Sequence, residues 1–250
     1  MGLRHRRMLS ADRSLPCDVV HFSGKVPIAR AEMCCELGSL QRQRAMVQPR
    51  MSWASLFLRA YGIVCNRHEF LRTSYMPWPF PHLYLHPHTV AMVAMHREYR
   101  ERPRLCWARI VDPAGRSLRE IQAKLDHYAS QAPEDAFRKQ FRLSRFPIGL
   151  RRLAWYVTLY GSGRVRAKQV GTFSMSTLSG QGVINRDHPT LCTTSLTYGP
   201  IDTQGRCLVT LVYDHRVFDG MQAATALRDL QDCLADEVQG ELAAAQRSAA

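Results

Sequence analysis

Long hydrophobic runs are missing from this chain: its most apolar stretches, such as Val90–Met95 and Leu153–Tyr160, fall far short of the roughly 20 residues that cross a bilayer as a helix. A membrane-spanning protein is therefore not expected. No stretch rich in Gly, Ser or Pro divides the 250 residues, and no internal repeat is visible, so the chain reads as one domain. None of the eight cysteines has C-x-x-C spacing, and no apolar segment follows the basic start Met1-Gly2-Leu3-Arg4-His5-Arg6-Arg7. Reduced, mostly buried thiols and cytoplasmic residence are the expectation.

Acidic residues are scarce, 21 against 34 Lys and Arg, which leaves a net charge of +13. That field favours anionic partners: nucleic acid, a membrane surface, or a phosphorylated cofactor such as coenzyme A. Lysine is scarce too, represented only by Lys25, Lys124, Lys139 and Lys168, and the arginines are scattered instead of forming a block. No finger, homeodomain or RNA-binding signature accompanies the charge, so nucleic-acid binding is not expected. Hydrophobic residues at 46% and charged residues at 22% supply an ordinary globular core.

Residues 1–16 read as a basic flexible arm, residues 17–240 as a single catalytic domain, and residues 241–250 as a disordered tail. Val19–Val26 resembles a strand and Ala29–Met46 a helix. Trp53–Val64 has helical apolar spacing with Ser52 as N-cap. Met76–Pro87 is too rich in proline for a helix. Strands are expected at Thr89–Met95 and Arg104–Val111, a turn at 112–115, and a helix from the capping box Ser117–Glu120. A further helical stretch is expected from Pro133 to about Arg145. Arg145–Tyr160 mixes arginine with large apolar groups, which suits a core helix with two exposed arginines, a membrane-surface contact, or the wall of an apolar substrate channel. Strands at Val170–Thr177, Leu191–Tyr198 and Cys207–Tyr213 precede a final helix from about Asp219 to Val238.

The chemistry sits in Asp214-His215-Arg216-Val217-Phe218-Asp219-Gly220. An imidazole at a strand end, followed four residues later by an acid and then by a glycine opening a helix, is a way to present a general base at a sheet edge. His82, His86 and His88 offer imidazoles at alternate positions of one strand, but no Cys or carboxylate completes a metal set, and no metal is expected. Cys34 and Cys35 read as inert thiols, and His188 as part of an exposed turn.

The 214–220 string resembles the catalytic domain of the 2-oxoacid dehydrogenase acyltransferases, relatives of chloramphenicol acetyltransferase in the coenzyme-A-dependent acyltransferase superfamily. The block Gly171-Thr172-Phe173-Ser174-Met175-Ser176-Thr177-Leu178-Ser179-Gly180 is similar to that family's second signature strand and lies upstream in the expected order. The resemblance implies an α/β, chloramphenicol acetyltransferase-like two-layer fold, with a mixed β-sheet and helices packed on one face. It also implies transfer of an acyl group from coenzyme A or a carrier to a thiol, hydroxyl or amine. His215 would be the general base and Ser176 the donor to the oxyanion, with Thr177 as the adjacent fallback. Asp219 would hold the motif loop through an ion pair with an arginine, and Asp214, Arg216 and Gly220 complete the motif. In such relatives the His and Ser come from neighbouring subunits, so a homotrimer with its active site at the subunit interface is expected.

Two departures stand out. His215 follows Ser176 by only 39 residues, shorter than the family pattern. The Asp-Lys-Ala context of a lipoyl domain, a subunit-binding domain and Ala/Pro-rich linkers are also missing from the 250 residues, which points to an acyl carrier other than a lipoyl arm. Two other readings stay open: a non-catalytic trimeric scaffold of the same fold, and a basic protein that binds nucleic acid or a membrane surface.

Overall fold

The structure is a computed structural model that describes residues 10–247. Along the chain the elements are α1 (Ala11–Ser23), β1 (Ile28–Glu36), α2 (Gly38–Met46), α3 (Trp53–Arg67), β2 (Thr73–Met76), β3 (His82–Leu85), β4 (Val90–Tyr99) and β5 (Arg102–Val111). There follow α4 (Leu118–Ser130), α5 (Pro133–Ala136), α6 (Arg138–Ser144), α7 (Ile148–Tyr160), α8 (Gly163–Val170) and β6 (Phe173–Met175). The chain then forms β7 (Thr194–Tyr198), β8 (Arg206–Asp214), α9 (Gly220–Cys233) and α10 (Gln239–Arg247).

Six strands build one mixed sheet in the order β1-β8-β7-β6-β4-β5. The central strand β6 runs parallel to both β4 and β7, and the other pairings are antiparallel. Alternation along each strand sorts the side chains to two faces. One face carries Val93, Ile110, Phe173, Leu196 and Leu211 into the main core, where α3 and α9 meet it. Phe57 of α3 stacks on Tyr198 at 4.3 Å, and Tyr61 meets Phe173 edge-on at 4.9 Å. The buried Tyr61 hydroxyl donates to Thr194 Oγ1 at 2.9 Å, so this large side chain brings no unsatisfied group into the core. Ser52 accepts from the Ser55 amide, and the Ser117–Glu120 capping box starts α4, as their sequence positions predict.

The second face is not bare. Over its β4–β6 half, α1, α7 and α8 enclose a smaller core of Val19, Phe22, Leu159, Val170, Leu191 and Cys192, with Met92, Trp107 and Trp155 packed against it. Over the β1 end lies the segment leading into β7, pinned by Arg30–Asp187 at 2.8 Å and Arg186–Glu32 at 3.2 Å.

Several sequence expectations are corrected. Residues 11–16 are not an arm: they open α1, whose Leu15, Asp18, Val19 and Phe22 are buried at helical spacing while Val20 is exposed, which also replaces the strand expected at Val19–Val26. Asp18 is held by a buried ion pair with Arg151 of α7, so Arg151 is not one of two exposed arginines. Ala29–Met46 is not one helix. Its first half is β1, with Ala29, Ala31, Met33 and Cys35 facing the main core and Arg30, Glu32 and Cys34 outward. Helix propensities differ by only about 0.5 kcal/mol per residue, and nine residues of register with β8 override them. The strand ends where the Leu37 amide donates to the Gly205 carbonyl at 2.8 Å. Gly205, at φ +83°, approaches Gly38 so closely that a Cβ would lie 2.3 Å from the Gly38 Cα. The tail is corrected as well: residues 241–247 belong to α10, where Leu242 is buried and Glu241 pairs with Arg59 at 2.9 Å. Residues 1–9 and 248–250, the rest of the expected arm and tail, lie outside the described residues.

Candidate functional site

His215 stands in the turn between β8 and α9. Its amide donates to the Pro27 carbonyl at 3.0 Å and its side chain is exposed, 5.8 Å from the Tyr213 ring. The residues on either side fix this turn. Asp214 is buried and accepts from the Arg216 amide at 3.0 Å, from Arg216 Nε at 2.9 Å and from Nη2 at 2.6 Å. The same guanidinium lies 4.3 Å from the centre of the Tyr75 ring. Tyr213 stacks on Phe218 at 4.8 Å beneath the turn.

Asp219 does a different job from the one expected. No arginine pairs with it among the described residues. It is the N-cap of α9 and accepts from Met221 N at 3.0 Å and Gln222 N at 3.2 Å, while Gln222 Oε1 accepts from the Asp219 amide at 3.2 Å. The ion pair belongs to Asp214, because its carboxylate is buried and needs a counter-charge, whereas an exposed N-cap is satisfied by the helix's free amides. Gly220 is the first residue of α9, and a Cβ there would meet only the Tyr213 hydroxyl at 3.6 Å, so neither space nor φ demands glycine.

Ser176 follows β6 directly, and its amide donates to the Leu196 carbonyl at 3.2 Å. Its hydroxyl has no hydrogen-bond partner among the described residues. The neighbouring Thr177 is occupied: it donates to the Tyr198 carbonyl at 2.8 Å and accepts from the Ser179 amide at 3.1 Å. Register places Ser176 on the second face. Arg109, Met92, Ser174 and Ser195 form one row across β5, β4, β6 and β7, and continuing two residues along gives the row Trp107, Ala94, Ser176 and Thr197.

The β4, β5 and β6 members of these rows floor a cavity of about 740 Å³, roofed by α1, α6 and α7 and bounded on one side by residues 188–192. Trp107, Trp155, Phe137 and Leu191 give it apolar walls, and Ser174 and Ser176 lie on its floor. His188 also lines it instead of standing on an exposed turn: its Nε2 is hydrogen-bonded to Ser195 Oγ, which accepts from Ser174 at 2.6 Å, and Ser174 Oγ is 2.9 Å from Thr190 Oγ1. Burial lowers the pKa of His188 below the ordinary histidine value, which favours the neutral ring. The chain of hydroxyls thus satisfies Ser174 and Ser195 and leaves Ser176 available.

His215 and Ser176 do not meet within one chain. Ser176 shares its row with Thr210, four residues before Asp214 on β8. With about 3.3 Å per residue and two strand spacings of about 4.8 Å, the Cα atoms of Ser176 and Asp214 are roughly 16 Å apart, with His215 one residue further.

The other candidates resolve simply. His82 Nδ1 bonds to the Phe80 carbonyl at 2.7 Å, whereas His86 is buried against Ser74 Oγ at 2.9 Å. No group of three or more His, Cys, Asp or Glu able to hold a metal exists among the described residues. Cys34 is exposed and Cys35 buried on opposite faces of β1, and burial first, then neighbouring thiols, raises the Cys35 pKa to about 12. The described residues contain no helix long and apolar enough to cross a membrane.

No family model and no curated protein matches the chain. Solved structures do. The dihydrolipoamide acetyltransferase of Azotobacter vinelandii, in whose catalytic mechanism the roles of a serine, a histidine and an asparagine four residues after it were investigated, superposes with a TM-score of 0.72 at 18% identity, over 96% of this chain and 95% of that one. A probable dihydrolipoamide acetyltransferase from Listeria monocytogenes gives 0.67 at 13% identity, over 93% and 94%. A chloramphenicol acetyltransferase gives 0.51 at 14%, over 91% and 99%. With its mixed six-stranded sheet and its end-to-end coverage of these structures, the chain has the chloramphenicol acetyltransferase-like fold of the acyltransferase catalytic core.

Proposed function

We propose that this protein is an acyltransferase whose active site forms between two copies of the chain, one giving His215 and the other Ser176. The observation that carries the reading is the free Ser176 hydroxyl on the floor of a large apolar cavity, together with an exposed imidazole on a fixed turn, too far away to reach it in the same chain. We take Ser176, His215 and, at the asparagine's place, Asp219 as the counterparts of the serine, histidine and asparagine investigated in the Azotobacter enzyme; the four-residue step from that histidine to that asparagine equals the step from His215 to Asp219, which supports the reading. Closed rotational symmetry lets each copy use both surfaces, so a homotrimer as in the family would carry three equivalent sites.

In the reaction, His215 takes the proton from the thiol, hydroxyl or amine of the acceptor as that atom bonds to the thioester carbonyl carbon. The carbonyl oxygen becomes an oxyanion, to which the Ser176 hydroxyl donates, an interaction worth roughly 3 to 4 kcal/mol for one such donor in other enzymes. Collapse breaks the carbon–sulfur bond, and the imidazolium returns its proton to the departing thiolate of coenzyme A or another carrier. Arg216 acts through Asp214 and Asp219 through the α9 cap, and both position the turn. The apolar walls limit water and so disfavour hydrolysis of the thioester.

The test is release of free thiol from a panel of acyl-coenzyme A thioesters, with and without cell extract as the acceptor source. We expect release that requires extract and falls at least about a hundredfold in His215→Ala with the fold unchanged. Equal turnover in the variant contradicts the proposal. A scaffold role predicts that the variant keeps its biological function. A nucleic-acid or membrane-surface role predicts binding that weakens steeply with salt and ignores His215.

A further inference from the structure

We infer that the acyl group handled at Ser176 is an extended chain carrying a carboxylate at its far end, bound by Arg109; the inference rests on the acyl-transfer reading above. Ser176 and Arg109 sit on the floor of the same 740 Å³ cavity, in adjacent same-face rows two strands apart. Strand geometry puts their Cα atoms roughly 12 Å apart. An acetyl group at Ser176 would leave most of that volume empty. With an advance of about 1.2 Å per bond along an extended chain, a chain of six to eight carbons spans roughly 6 to 8 Å along Met92 and Trp107, and the length of the arginine side chain covers the rest of the separation.

Charge decides what stands at the far end. The Arg109 side chain has neither an ion pair nor a hydrogen bond among the described residues, and its Nε is buried without a partner. Arg142 and Lys168 also line the cavity and form no ion pair among the described residues, and the one acidic residue of the lining, Asp135, pairs with Arg138 at 3.4 Å. A purely aliphatic chain filling this space would strip water from an unpaired guanidinium, which is costly. A carboxylate supplies the missing charge and can accept two parallel hydrogen bonds from the guanidinium fork.

The test uses two neutral-headed probes of equal length, adipate monoamide and hexanamide, titrated calorimetrically into the wild-type protein and Arg109→Gln, with melting curves to confirm that the variant is folded. We expect adipate monoamide to bind about tenfold tighter or more, and the difference to vanish in Arg109→Gln. Equal affinities, or a preference that survives Arg109→Gln, overturn the inference. Thiol release from adipoyl-, hexanoyl- and acetyl-coenzyme A then separates the two claims. Turnover that depends on His215 but not on the far carboxylate removes the inference and keeps acyl transfer. Tight binding of adipate monoamide with no His215-dependent turnover of any thioester contradicts acyl transfer and removes the assignment of this anion site to an acyl group.

Discussion

Arg216 closes a two-point ion pair on Asp214, two residues earlier, so the turn that carries His215 is fastened by the side chains on either side of it. The imidazole is left exposed while the backbone beneath it is fixed, which lowers the entropy lost when the ring is used.

Arg216→Ala leaves the Asp214 carboxylate, only 1% exposed, without its counter-charge. We expect a loss of about 3 kcal/mol, at the lower end for broken buried pairs because the arginine is partly exposed, together with lower kcat. Asp219→Ala removes a helix cap and should cost about 1 kcal/mol. Because that aspartate caps a helix instead of pairing with an arginine, the cost should change little between low and high salt. Urea unfolding at two ionic strengths checks both values.

Ser176 and Thr177 are adjacent hydroxyls with opposite fates, one free and the other spent on Tyr198 and Ser179. Ser176→Ala should lower kcat by about 10² to 10³ with little change in stability. Thr177→Ala should lower stability by about 1 kcal/mol and kcat by less than about tenfold. Steady-state kinetics and thermal melts of the two variants separate the roles, and the reverse pattern would assign the oxyanion to Thr177.

How much of this was legible in the sequence depends on whether the signal was local. The Ser117 capping box, the Ser52 cap and the helical stripe of α3 are written within a few residues, and they stand as read. The motif around His215 was visible for the same reason, although the partner of its arginine was not: Asp214 and Asp219 are both two or three residues from Arg216, and only burial distinguishes them. β1 has the local signature of a helix, because Ala, Arg, Met and Glu are good helix formers, and its strand state comes from pairing with β8, far along the chain. The cavity is non-local throughout, since its floor joins β4, β5 and β6. Its local trace is the mixture of arginine and large apolar groups in Arg145–Tyr160, which suits a channel wall: Phe146, Ala154, Trp155 and Thr158 line the cavity.

His86 gives the protein an acid-sensitive core. Burial, followed by Arg166 and Arg72, pushes its pKa down to about 4. Its folded pKa lies below the unfolded value of about 6.5, so the unfolded chain takes up a proton first as pH falls. Stability is therefore complete above about pH 6.5 and declines from there down to about pH 4, by about 3 kcal/mol for this residue. Urea midpoints measured between pH 7.5 and pH 4 should show this decline, and His86→Gln should flatten it.

Shared sites can be tested directly by mixing. His215→Ala and Ser176→Ala should each be nearly inactive alone, and when co-expressed and allowed to assemble at random they should recover about a quarter of the wild-type sites, because some interfaces then pair an intact His215 with an intact Ser176 from the other chain. Thiol release by the co-expressed mixture, compared with that of the separately purified variants, is the decisive measurement. Recovery near that level supports a site built between copies, and a mixture no more active than its components contradicts it.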